Sequence, residues 1–182
     1  QGLVSKAGGS GSPVKNHRGK RVFIVEGGPG TGKSVLAVNL LATCTRRDLV
    51  CQYVTKNSAP RYIYLQKLKE HGRRKAFVAN LFKSSSDYFQ AVPDEIDLLI
   101  VDEAHRLTRK SGMFQNLGDN QVAELIAAAR FSVFFIDENQ RIHIKDFGTI
   151  HEIEKAAKQH QADVYYNRLS CQFRCNGSDA YL

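Results

Sequence analysis

Residues 22–34 read VFIVEGGPGTGKS, an apolar run that passes directly into Gly27-x4-Gly32-Lys33-Ser34. That spacing, G-x-x-x-x-G-K-[ST], is a P-loop. Each residue type in it has a physical task. The apolar run forms a strand that delivers the chain to a tight turn. Gly27, Gly28, Gly30 and Gly32, interspersed with Pro29 and Thr31, let the backbone adopt conformations closed to other residues and come close to a ligand. The N–H groups of the turn then form an anion nest, and the helix that begins near Gly32 adds the positive end of its dipole. Lys33 is expected to reach the β- and γ-phosphates of a nucleoside triphosphate, and the Ser34 hydroxyl to ligate Mg2+. Val35 completes the expected ATP-binding segment. The residues that follow, SVLAVNLLATC, hold apolar positions without Pro or Gly, so a helix is expected over 33–45. This context argues against a glycine-rich hairpin or linker that contains Gly-Lys-Ser by accident.

The run LLIVDEAH, 98–105, is a second constellation. Four apolar residues predict a buried strand, with Asp102 and Glu103 at its carboxyl end, where open α/β sheets bind ligands. A carboxylate there can hold the Mg2+ that bridges the phosphates, a role assigned to Asp102. Glu103 is then free to deprotonate a water attacking the γ-phosphate. In FFIDENQR, 134–141, Asp137, Glu138 and Gln140 fall on the same edge. A Gln amide can accept from the water and donate to a γ-phosphate oxygen. In LSCQFRCNG, 169–177, Arg174 can offer a bidentate guanidinium to that phosphate.

Around these motifs, apolar runs alternate with amphipathic ones. Strands are expected at 21–26, 50–55, 75–79, 97–102, 131–137 and 163–167. Helices are expected at 33–45, 60–71, 119–130 and 149–160, the third capped by Asp119 or Asn120 and burying Val122, Leu125, Ile126 and Ala129. Strands without polar alternation, separated by helices, imply a parallel sheet covered on both faces. Residues 1–19, rich in Gly, Ser and Lys, read as a flexible lead-in or linker to one domain over 20–182.

With 182 residues the chain has room for one α/β domain and not for two. Its longest apolar runs are far too short for a membrane span, and Gln1 onward shows no signal-peptide core. A chain opening on Gln1 is expected to be a piece of a longer one. The net charge of +8 favours phosphate-rich partners such as nucleic acid, although basic residues also serve solubility. The four cysteines, Cys44, Cys51, Cys171 and Cys175, lack zinc-site spacing and suggest reduced thiols in the cytoplasm. The sequence carries no signal for oligomeric state.

Taken in order, GGPGTGKS, VTKNSAPR (54–61), VDEAH, FIDENQR and QFR (172–174) resemble the motif series I, Ia, II, III and IV of superfamily 1 helicases. More particularly, the chain resembles the Schlafen-like helicase-domain family of bacterial P-loop proteins, over about residues 21–182. The resemblance implies a RecA-like P-loop NTPase fold. It places Lys33 and Ser34 on phosphates and Mg2+, Asp102 on Mg2+, Glu103 as catalytic base, and Gln140 and Arg174 as γ-phosphate sensors. It also puts Thr55, Lys56 and Asn57 on a nucleic-acid backbone. Independently of the resemblance, RLTRKSG (106–112), which opens on Arg106, carries three basic residues just after the acids and reads equally as a nucleic-acid contact or as a solvated loop. Asp-Glu-Ala-His is spelled as in superfamily 2, but no Ser-Ala-Thr segment follows, and Ile136 stands where superfamily 1 has a Gly.

The function expected from this resemblance is ATP hydrolysis coupled to DNA or RNA, as the first motor domain of a helicase or translocase. The alternative is an ATP-switched regulator or nuclease-associated ATPase that binds nucleic acid without unwinding it. A small-molecule kinase is disfavoured, because a kinase has no need of a Glu beside the Mg2+ carboxylate. The second RecA-like domain such a motor requires is absent from these residues. The chain alone is therefore expected to hydrolyse ATP slowly, since arginines supplied in trans are worth about 10³–10⁵ in rate.

Overall fold

The computed structural model describes residues 19–55, 80–111, 116–140 and 147–170. In chain order the elements are β1 (Arg21–Gly27), α1 (Lys33–Thr45), β2 (Cys51–Val54), β3 (Phe82–Lys83) and β4 (Ile96–Val101). They continue with α2 (Gln121–Ala128), β5 (Ala129–Ile136), α3 (Ile150–Gln159) and β6 (Asp163–Leu169). The expected helix at 60–71 and strand at 75–79 lie outside the described residues, as does the lead-in up to residue 18.

Among the described residues all strand pairs are parallel, and six strands lie in the order β3-β2-β4-β5-β1-β6. Parallel neighbours are buried on both faces, which is why their sequences lack polar alternation. In β1, Val22 and Ile24 face α2 and α3 together with Leu99, Val101, Phe134 and Ile136, and Ile153 of α3 packs into the same layer. Val25 points the other way and meets Ala37 and Leu41 of α1 with Tyr53, Ile100, Val133 and Phe135. Strand β6 is the exception. It is an edge strand and largely exposed. Cys51 is buried in β2, and burial pushes its thiol up to about 11, which keeps it protonated and unreactive at neutral pH.

Helix α1 runs over 33–45 as expected, although only Ala37 and Leu41 are buried and Val35 and Leu36 are exposed. Helix α2 is shorter than the 119–130 read from the pattern. Asn120 is its cap, accepting from the N–H groups of Val122 and Ala123, and Glu124 reaches back to the N–H of Asp119 and of Asn120. The helix stops at Ala128, and Ala129, expected on its buried face, is the first residue of β5 opposite Ile96. The cause is tertiary: pairing of β5 with β4 and β1 fills the ladders, and the aromatic-rich ARFSVFFI suits a pleated, buried strand. The two-residue β3 is too short to leave a pattern in sequence. Thr149 caps α3 by accepting from the Glu152 N–H.

Candidate active site at the carboxyl edge of β1, β5 and β4

The strand order sets the site. β5 lies between β1 and β4, so the three successive carboxyl ends carry the P-loop, Asp137 and Asp102. Gly30 (φ 80°) and Gly32 (φ 86°) take left-handed backbone conformations that favour glycine. Gly32 is also the cap of α1 and makes no side-chain cap bond, so the first N–H groups of the helix face the loop uncapped by a side chain. The turn is braced by Thr31, whose hydroxyl donates to the Gly28 carbonyl at 2.9 Å. A Cβ at Gly27 would stand 2.5 Å from that hydroxyl oxygen, which explains glycine there.

Lys33 folds over the turn. Its ammonium donates to the carbonyls of Gly27 and Gly28 and lies 3.6 Å from Asp137 Oδ2. At that distance the contact is an ion pair rather than a hydrogen bond, and Asp137 Oδ2 is buried with no hydrogen-bond partner. Ser34 Oγ donates to Asp102 Oδ2 at 3.0 Å, which joins the P-loop helix to the end of β4. The same oxygen accepts from the buried Tyr53 hydroxyl at 2.6 Å, and Oδ1 accepts the Glu103 N–H at 3.0 Å.

Glu103 stands in the left-handed region (φ 52°), a conformation that costs a non-glycine residue about 1 kcal/mol or more. This kink takes the chain off β4 into the one-turn helix Ala104–Arg106 and leaves the Glu103 carboxylate half-buried, 3.3 Å from Arg106 Nη1. His105 is buried, and its Nδ1 accepts the Asp137 N–H at 3.4 Å, so the ends of β4 and β5 are tied together. Gln140 closes a one-turn helix at the same edge, and its N–H donates to the Asp137 carbonyl.

Lys33, Ser34, Asp102, Glu103 and Asp137 therefore meet at one sheet edge, with Gln140 beside them. Val35 lies in the first turn of α1 at 65% exposure, pointing away from the core. Thr55 is buried just past β2. Lys56, Asn57 and Arg174 lie outside the described residues. Tyr53 carried no functional signal in sequence. As an aromatic in an apolar strand it reads as core, and its bond to Asp102 follows only from the Tyr53–Ile100 register of β2 on β4. Gln121, fully buried, accepts from the Thr108 N–H and donates to Ser111 Oγ, so it pins the basic loop after Arg106 to α2.

The donor set fits Mg2+. A hydroxyl and a carboxylate side by side suit a hard cation that takes few protein ligands and completes its shell with water and phosphate oxygens. Among the described residues no cluster of three or more His, Cys, Asp or Glu could enclose a metal by itself. A groove of about 920 Å³ beside α1 over β1 and β5 is apolar and contains none of these residues. The site is thus defined by its chemistry and not by its depth.

A parallel sheet with a P-loop on β1, acids ending β4 and one strand between them is a RecA-like P-loop domain. The chain belongs to the Schlafen group 3 DNA/RNA helicase domain family, whose model matches residues 20–182. No curated protein matches it. Among solved structures, the Pyrococcus furiosus Hef helicase domain is similar over 87% of this chain, at 11% identity and a TM-score of 0.46. The chain spans 37% of that protein's length. No helix among the described residues is long and apolar enough to cross a membrane.

Proposed function

We propose that this domain binds ATP with Mg2+ at the β1–β5–β4 edge and hydrolyses it in response to DNA or RNA, as the first motor domain of a superfamily 1-like helicase or translocase. The observation that carries this reading is the Ser34–Asp102 contact at 3.0 Å with Lys33 alongside, because it joins phosphate loop and acid into one site.

In this reading the loop N–H groups and the dipole of α1 receive the β-phosphate. Lys33 exchanges the Gly27 and Gly28 carbonyls for β- and γ-phosphate oxygens. Ser34 and Asp102 hold Mg2+, which when bound neutralises charge on those oxygens. Glu103, set off the strand by its left-handed backbone, accepts the proton of the attacking water. Gln140 orients that water, and Arg174 with a second RecA-like domain supplies positive charge to the γ-phosphate. Thr55, Lys56, Asn57 and Arg106 contact the nucleic-acid backbone. Cytoplasmic placement follows from that partner and from the reduced thiols.

The test compares wild type with Glu103→Gln in ATP binding and in phosphate release. The variant is expected to bind ATP as wild type does and to lose hydrolysis. Turnover that survives the substitution removes Glu103 from the role of base. Stimulation of the wild-type rate by single-stranded DNA or RNA separates a nucleic-acid motor from an ATPase serving another partner.

A further inference from the structure

We propose that Tyr53 is a positioning residue for the Mg2+ ligand Asp102, an inference that rests on the reading of Ser34 and Asp102 as the Mg2+ pair. Three donors converge on the Asp102 carboxylate. The Glu103 N–H holds Oδ1, while the Ser34 hydroxyl and the Tyr53 phenol share Oδ2. Of these donors, Ser34 is also the proposed Mg2+ ligand and Glu103 the proposed base, whereas Tyr53 reaches the carboxylate from the buried interior of the sheet.

Its setting suits that task. Tyr53 is fully buried in β2, its ring tilted against Phe82 at 5.5 Å between centroids, and it sits opposite Ile100 in the register with β4. The backbone of the same strand grips the same residue, since the Asp102 N–H donates to the Val54 carbonyl at 2.9 Å. A carboxylate held by a phenol, on a backbone held by a neighbouring strand, is restricted in orientation. Groups that orient a metal ligand in this way typically contribute 10–100-fold to metal affinity.

The experiment measures the affinity of a fluorescent ATP analogue in EDTA and across a Mg2+ titration, well below each protein's unfolding midpoint, so that lost stability does not read as lost Mg2+. Tyr53→Phe keeps the ring and its packing and removes only the donor. Its affinity in EDTA is expected to match wild type, while the Mg2+ midpoint rises about tenfold. Asp102→Asn is run in parallel and is expected to lose the Mg2+ gain altogether. An unchanged or lowered midpoint in Tyr53→Phe, with Asp102→Asn behaving as expected, overturns the role of Tyr53. A normal Mg2+ response in Asp102→Asn overturns the Mg2+ site instead. A fall in EDTA affinity equal to that in Mg2+ assigns Tyr53 to general packing and likewise overturns the proposal.

Discussion

Lys33 of the P-loop and Asp137 at the end of β5 form an ion pair at 3.6 Å, with the Asp137 carboxylate only 2% exposed. The lysine proposed to hold phosphate is thus already paired within the protein, to an acid whose Oδ2 makes no hydrogen bond. In that reading ATP competes with Asp137 for it. Removing the acid's charge takes a carboxylate from Lys33, and the Gly27 and Gly28 carbonyls stabilise an ammonium less than a carboxylate does. Asp137→Asn is therefore expected to lower the unfolding midpoint of the nucleotide-free protein and to tighten ATP binding by about tenfold, the equivalent of about 1.4 kcal/mol. Thermal unfolding with and without ATP checks both, because the nucleotide-induced rise should be larger in the variant. A smaller rise means that Asp137 assists phosphate binding and does not oppose it.

Arg106 links Glu103, the proposed base, to the basic loop. Its guanidinium meets the Glu103 carboxylate at 3.3 Å, with both side chains partly exposed. Exposed pairs of this kind contribute about 0–1 kcal/mol, so a nucleic-acid phosphate can take Arg106 from Glu103 at small cost. Arg106→Ala is expected to leave stability almost unchanged. It should lower the slope of log affinity against log salt for single-stranded nucleic acid by about 0.7, the value of one phosphate contact. Fluorescence anisotropy across a salt series reads this directly. An unaltered slope confines Arg106 to its contact with Glu103.

Much of this architecture was legible because it is local. VFIVEGG announces a strand and a phosphate turn within a few residues, and LLIVDEAH ends a buried run on two acids. The elements that depended on long-range pairing were not legible. Ala129 continues the apolar stripe of α2, yet it belongs to β5 because the ladder with Ile96 claims it. Tyr53 looks like any aromatic of a buried strand until β2 is laid on β4 in register. His105 and Asp137, 32 residues apart, meet only because β4 and β5 are neighbours. The family resemblance supplied what chemistry could not, above all the reading of Thr55, Lys56 and Asn57.

Two glycines separate the demands of the fold from those of the ligand. A Cβ on Gly148 would lie 1.8 Å from the Ala104 carbonyl oxygen, in a loop that already donates from the Phe147 and Gly148 N–H groups to Leu107. The obstacle is backbone, so the one-turn helix that follows Glu103 must move. A Cβ on Gly28 meets no atom within 4 Å. Gly148→Ala is therefore expected to cost about 1–3 kcal/mol, the usual range for overpacking, and to shift the unfolding midpoint down by about 2–4 °C for each kcal/mol. ATP hydrolysis should fall further than ATP affinity, because displacement of Ala104 is felt at Glu103 before it reaches the P-loop. Gly28→Ala should show the reverse, with stability near wild type and weakened ATP binding, since the space beside Gly28 is needed only when a phosphate approaches the loop. Calorimetry and nucleotide titration on the two variants distinguish the cases. Equal loss of stability in both would mean that the Gly28 turn is held by the fold and not kept open for phosphate.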